Sequence, residues 1–149
     1  GFIDIERTAE LIELARPMSV TFHRAYDMCS DPFRGLEDVI VSGASRLLTS
    51  GQKEKAEDGA ELISQLVRQA GNRIIIMPGS GINESNIAGI ARVTGANEFH
   101  LTGRKVIDSE MIFRKHGISM GGTTEIPEFS RKVADPDMIK RVINILNLI

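Results

Sequence analysis

The stretch RIIIMPGSGIN, residues 73–83, decides the reading of the fold. Ile74, Ile75, Ile76 and Met77 run apolar without a break, the pattern expected of a parallel strand covered on both faces. Pro78-Gly79-Ser80-Gly81 interrupts that strand, and a helix is expected from about Asn83 to Thr94, presenting Ile87, Ile90 and Ala91. Strand, glycine-rich turn and helix in that order make one βα unit.

Working outward, the unit recurs. Upstream, RLLTS (46–50) precedes a helix that carries Leu62, Ile63, Leu66, Val67 and Ala70 at helical spacing and stops at Gly71-Asn72. Before it, SVTFHRA (19–25) alternates two faces, and Asp31-Pro32 caps a helix with Phe33, Leu36, Val39 and Ile40 inward. A still earlier helix runs from Asp4 toward Ala15 and ends at Pro17. Downstream, EFHLT (98–102) is expected as the fourth strand. About thirty loop-like residues follow, including Met120-Gly121-Gly122-Thr123, before a helix opened by Asp135-Pro136 with Ile139, Val142, Ile143, Leu146 and Ile149 on its apolar face. Repeated βα units make a parallel sheet with right-handed crossovers. Four strands fit either a small open sheet or half of a barrel. In EFHLT and VTFHRA the residues Glu98, His100, Thr102, Thr21 and His23 form polar faces opposite apolar ones, which fits a barrel lined by functional groups.

Composition narrows the partners. The chain has 149 residues, 42% of them hydrophobic, and a net charge of −2, so it offers no broad basic surface for nucleic acid or anionic membrane. The single cysteine, Cys29, forms no internal disulfide, and no basic-then-apolar leader opens the sequence, so a cytoplasmic location is expected. No apolar run approaches the ~20 residues that cross a bilayer. The opening Gly-Phe-Ile-Asp reads as a loop entering a helix, which suggests a natural start further upstream.

In parallel α/β folds ligands meet the carboxyl ends of the strands. That places His23, Arg24 and Asp27, then Thr49, Ser50 and Gly51, then Pro78 to Asn83, and finally His100, Thr102 and Arg104 on one rim. Gly79, Ser80 and Gly81 would let backbone amides approach an anion, with the following helix aiming its positive end there and Thr102-Gly103-Arg104-Lys105 as a second wall. The same glycines also suit a tight turn. His23 and His100 suit a base or a metal ligand, or a structural hydrogen bond; His116 lies in the later excursion and faces solvent. Arg24 with Asp27, and Glu98 with Arg104, suit substrate binding or structural ion pairs. Met28-Cys29 offers the soft sulfur that Cu(I) prefers, but one thiol needs a second donor from Met28, Met77, His23 or another chain. No nucleophile with its base stands out.

The motifs VTFHRAYDMCSDP (20–32), RLLTSG (46–51), IIIMPGSGI (74–82) and EFHLTGR (98–104), with GFIDIERTAEL at the start and MGG at 120–122, resemble the later strands and loops of the CutC family of copper homeostasis proteins. The resemblance covers nearly the whole chain and implies a (β/α)₈ TIM barrel represented by its last four units, one domain over residues 1–149. It implies cytoplasmic handling of copper as Cu(I), for which the residues of this chain offer His23, His100 and Cys29 as candidate ligands, although Cys29 does not map onto the family's copper cysteines. The family's proposed copper cysteines belong to its first two strands, and its last motif reads Ser-Ala-Arg where this chain has Thr102-Gly103-Arg104. A half barrel leaves unpaired edges, so either the chain is a fragment or two copies close one barrel as a homodimer. Two functions follow: a non-enzymatic copper-handling protein, or an enzyme on a phosphorylated small molecule that uses Arg24, Gly79, Ser80, Gly81, Thr102 and Arg104 to hold the anion.

Overall fold

The structure, a computed structural model, describes residues 1–120 and 127–149. Gly121, Gly122 and Thr123 of the late glycine motif lie outside the described residues.

Helix α1 (Ile5–Leu14) starts where Asp4 accepts from the Arg7 amide. Strand β1 follows but is confined to Thr21–Phe22. It ends early because the chain turns into a short 3₁₀ helix (Arg24–Met28) directly after His23, which is still extended and caps that helix, its Nδ1 accepting from the Ala25 amide at 3.0 Å. Helix α2 (Pro32–Val41) opens as expected, with the Asp31 carboxylate accepting from the Phe33 and Arg34 amides. Strand β2 (Arg46–Thr49), helix α3 (Ala60–Ala70), strand β3 (Ile75–Pro78) and helix α4 (Ile87–Thr94) complete the repeating part.

The sheet is parallel, in the order β1-β2-β3, with Leu47 beside Phe22 and Ile76. One face carries the core: Leu47, Ile74 and Ile76 meet Leu36 and Val39 of α2, Ile63 and Leu66 of α3, and Ile87 and Ile90 of α4, all buried. Each such side chain contributes about 1.5–3 kcal/mol relative to exposure.

Several expectations need correction. The isoleucine run is not covered on both faces. Ile76 is buried while Ile75 is 38% exposed, because helices pack on one side of the sheet and nothing among the described residues closes the other. Phe33 likewise turns outward. EFHLT does not form a strand; it touches β3 through one parallel bridge, Gly79 to His100, with the His100 amide donating to the Pro78 carbonyl at 2.9 Å. Its alternation still holds, since Phe99 and Leu101 pack on the core while His100 and Thr102 are exposed. Helix α4 begins at Ile87 rather than Asn83, because Asn83 and Asn86 first close a turn: Asn83 Oδ1 accepts from Ser85, and Asn86 Oδ1 from the Asn83 amide.

The loop-like segment also holds structure. Strand β4 (Arg104–Asp108) pairs antiparallel with β5 (Ser130–Ala134) in a separate two-stranded sheet, and helix α5 (Pro136–Leu146) follows and packs on α4. Val142 is its buried anchor, whereas Ile139, Ile143 and Ile149 stay largely exposed. Among the described residues no helix is long and apolar enough to cross a membrane.

Candidate functional site

The carboxyl ends of β2 and β3 border an open cleft of about 470 Å³, lined by Arg24, Leu48, Ser80, Gly81, Ile82, Asn83, His100, Leu101 and Thr102. The topology thus brings together Arg24, Ser80, Gly81, His100 and Thr102 of the sequence-derived candidates. Leu48, Ile82 and Leu101 supply apolar walls. Among the described residues that line it, Arg24 alone carries a fixed charge.

Behind Arg24 lies Asp27, whose side chain is only 7% exposed. Its carboxylate accepts from Arg24 Nε at 2.7 Å, Thr49 Oγ1 at 2.5 Å, the Ser50 amide at 3.1 Å and the Gln52 amide at 3.2 Å. Burial works to raise the Asp27 pKa, and the hydrogen bonds from Thr49, Arg24, Ser50 and Gln52 outweigh it, so the carboxyl sits below its ordinary value. Arg24 in turn donates through Nη2 to Ser50 Oγ at 2.7 Å and to the Lys53 carbonyl at 3.2 Å. Ser50 Oγ also lies within reach of the Lys53 carbonyl and of Asp27, and its one proton serves them in turn. Beneath this network the fully buried Tyr26 donates to the Pro32 carbonyl at 2.5 Å, and burial drives its pKa upward.

The residues after β2 form a loop pinched at its neck. A Cβ on Gly59 would fall 2.0 Å from the Ser50 carbonyl oxygen, and one on Gly51, where φ is +68°, would fall 2.3 Å from the Gly59 oxygen. No larger residue fits at either position without moving backbone. The loop clasps the next one: Ser80 Oγ donates to the Glu54 carbonyl at 2.7 Å and the Ala56 amide donates to the Ser80 carbonyl at 3.0 Å. These bonds hold Ser80 at a φ of +85°, left-handed backbone that a non-glycine residue rarely adopts. A Cβ on Gly79 would lie 2.5 Å from Leu48 Cδ1 and 3.2 Å from His100 Cβ, so the Leu48 side chain would have to move to admit it.

The remaining candidates lie elsewhere. His23 caps the 3₁₀ helix and does not line the cleft. Arg104 begins β4 and is turned away where Gly103 packs on α5, its carbonyl accepting from the Asp135 amide at 2.8 Å. Glu98 pairs with Arg46 at 2.6 Å rather than with Arg104, because it sits at the opposite end of the sheet beside Ser45 and Asn97. Cys29 packs near Tyr26 and Gly35, its thiol donating to the Asp31 carbonyl at 3.4 Å. Burial pushes that thiol's pKa up, away from the thiolate a metal needs. Met28 is exposed. Among the described residues no three His, Cys, Asp or Glu side chains gather into a metal-holding group. Among the described residues His23, His100 and Cys29 are not gathered at one place: His100 borders the cleft, His23 caps the 3₁₀ helix and Cys29 packs by Tyr26 and Gly35.

Sequence reasoning missed the parts of Gln52 and Lys53. Two glycines bracketing GQKEKAEDG (51–59) were the available signal, one of a loop whose ends meet.

The CutC family profile matches residues 1–105. A CutC family protein of Bacteroides thetaiotaomicron is 46% identical over 149 residues, all of this chain and 59% of that protein. The mouse protein named copper homeostasis protein cutC homolog is 44% identical over 140 residues, 94% of this chain and 52% of its own length. The chain thus spans somewhat over half the length of these relatives. A solved structure of CutC from Streptococcus agalactiae superposes with a TM-score of 0.61 at 30% identity, covering 66% of this chain and 49% of that one. On the family profile over residues 1–105 and on 46% identity along its whole length to a CutC family protein, this chain belongs to the CutC family.

Proposed function

We propose that the chain serves cytoplasmic copper handling as the carboxy-terminal part of a CutC-type (β/α)₈ barrel, a single domain over residues 1–149 that binds its cargo and does not transform it. The observation that carries this reading is the 44% identity to the mouse copper homeostasis protein over nearly the whole chain. Its architecture agrees: a parallel sheet covered by helices on one side, with Ile75 open on the other. Copper as Cu(I) is here cargo. Cu(I) favours soft or imidazole donors, and this chain offers His100 at the cleft while Cys29 and His23 lie apart from it. The donor set is then completed by a second copy in a homodimer or by the earlier strands of the longer relatives.

The test is an anaerobic titration of the reduced chain with Cu(I) against a chromophoric competitor, recorded with its mass in solution. Binding at one Cu(I) per dimer, weakened by His100→Ala, is expected. A folded chain that takes up no Cu(I) in any assembly state would overturn the role proposed for this half.

A further inference from the structure

We propose that the cleft at the ends of β2 and β3 is a binding site for a small phosphorylated molecule, with Arg24 as its recognition cation and Asp27 as the residue that positions Arg24. This goes beyond the copper reading and does not depend on it.

The argument begins with what Arg24 has left to give. Its Nε is spent on Asp27 and its Nη2 on Ser50 and Lys53, which fixes the plane of the guanidinium. Nη1 donates to nothing among the described residues, and the side chain stands 41% exposed at the cleft. A guanidinium held at two of its nitrogens and free at the third is preorganised for an oxyanion. Most of its ordering cost is already met by folding.

The opposite wall supplies donors of the same kind. The amides of Ser80, Gly81 and Ile82 have no protein acceptor among the described residues, although their neighbours on both sides do: Gly79 donates to the Thr49 carbonyl and Asn83 to Asn86. Left-handed backbone at Ser80 and Gly81, with φ of +85° and +73°, is the kind of turn that makes consecutive amides available to one anion. Thr102 and His100 border the same space, and neither side chain makes a hydrogen bond or ion pair among the described residues. No carboxylate lines the cleft. Asp27 is saturated by Thr49, Ser50 and Gln52 and turned to the back of Arg24, and Glu57 stays outside the lining, taken up by the Asn86 side-chain amide that also donates to the Gly81 carbonyl. Leu48, Ile82 and Leu101 would take an apolar portion of the ligand. Donors on two sides, no acceptor charge and an apolar floor select an anion with an organic body.

Asp27 lowers the net charge near the cleft, so its benefit to binding must come through geometry. That separates a positioning role from a simple charge. The experiment is a titration of the whole chain with inorganic phosphate at constant ionic strength, followed by the amide signals of Ser80, Gly81 and Ile82. Saturable shifts of these amides are expected, with acetate a weaker competitor. Arg24→Gln should weaken binding about tenfold. Asp27→Asn should weaken it about threefold, and should have no further effect in the Arg24→Gln background, because it acts through that residue. Ser50→Ala, which removes the second anchor of Arg24, should weaken binding in the same direction, and serves as the test if Asp27→Asn does not fold.

Absence of shifts in the wild-type chain would overturn the site. Acetate competing as well as phosphate would overturn the ligand class. Tighter phosphate binding by Asp27→Asn, or a loss that persists undiminished without Arg24, would overturn the positioning role alone. None of these results touches Cu(I) uptake, which is read separately.

Discussion

Gly59→Ala should be among the most damaging single-methyl additions this chain can receive. The added Cβ would stand 2.0 Å from the Ser50 carbonyl oxygen and 2.9 Å from the Gly51 Cα, so both obstacles are backbone. Overpacking that side chains can absorb costs ~1–3 kcal/mol. Here the relief must come from opening the neck of the loop. That disturbs the first turn of α3, where the Ile63 amide donates to the Gly59 carbonyl, and loosens the bonds from Ser80 to Glu54 and from Arg24 to Lys53. With each of these three hydrogen bonds worth a net ~0.5–1.5 kcal/mol, the sum is about 1.5–4.5 kcal/mol. In a chain of this size that lowers the melting temperature by roughly 10 °C. Gly89→Ala is the control, the same change in α4 where a Cβ meets nothing within 4 Å. Alanine there should add ~0.5–1 kcal/mol. Thermal and urea melts followed by circular dichroism decide the matter. Loss of less than about 1 kcal/mol from Gly59→Ala, or equal loss from Gly89→Ala, would refute the pinched-neck reasoning.

Acid should weaken the fold through Asp27. Its folded pKa lies below the ordinary value, so its contribution is complete above about pH 4 and is lost as pH falls through the folded value; urea midpoints of Asp27→Asn should therefore fall less steeply on acidification, and parallel slopes would sink the idea. Glu37 is held down to about 2 by hydrogen bonds from Arg73 and Gln69, so Arg73→Gln should return it toward 4.5 in a carboxyl titration by NMR; an unmoved value would mean that the pair seen here is not formed in solution. Cys29, with its pKa raised by burial, should react with a disulfide reagent near neutral pH about tenfold more slowly than in concentrated urea, and equal rates would remove the packing assigned to it.

The repeating part of the fold was legible because periodicity and capping agree there. Asp31-Pro32 and Asp135-Pro136 start helices where they stand, and Ile63, Leu66 and Ala70 point inward at the spacing the sequence shows. Strand lengths were not legible, because alternation reports which way side chains face and says nothing of whether a neighbour is present to pair. VTFHRA and EFHLT keep their two faces, yet the first is cut short by the 3₁₀ helix after His23 and the second makes one bridge. Strands β4 and β5 were hidden for a different reason: RKVID and SRKVA are largely exposed and polar, and pair mainly with each other, so no core imprints a pattern on them. For the site, topology foretold that Arg24, Ser80, Gly81, His100 and Thr102 would share an edge. It could not foretell that Gly103 packs on α5 and that the chain then enters β4, which takes Arg104 from the cleft.

Core and cleft meet at the carboxyl ends of β2 and β3, where Ile82 and Leu101 belong to both, and this shapes what any closing partner can change. Leu47 and Ile76 anchor β2 and β3 to the helices in a core built from the described residues. The Asp27 network is equally self-contained, running between the 3₁₀ helix and the residues just after β2. Arg24 is thus in place before any partner arrives. Ile75, by contrast, lies on the open face, and Leu48 borders the cleft at its edge. Covering that face would bury apolar surface and raise the walls around a cation already oriented by Asp27, strengthening its interactions by excluding water without rearranging it. Closure, whether by a second copy or by the additional length of the relatives, should therefore sharpen affinity at the cleft more than it alters the position of any residue named there.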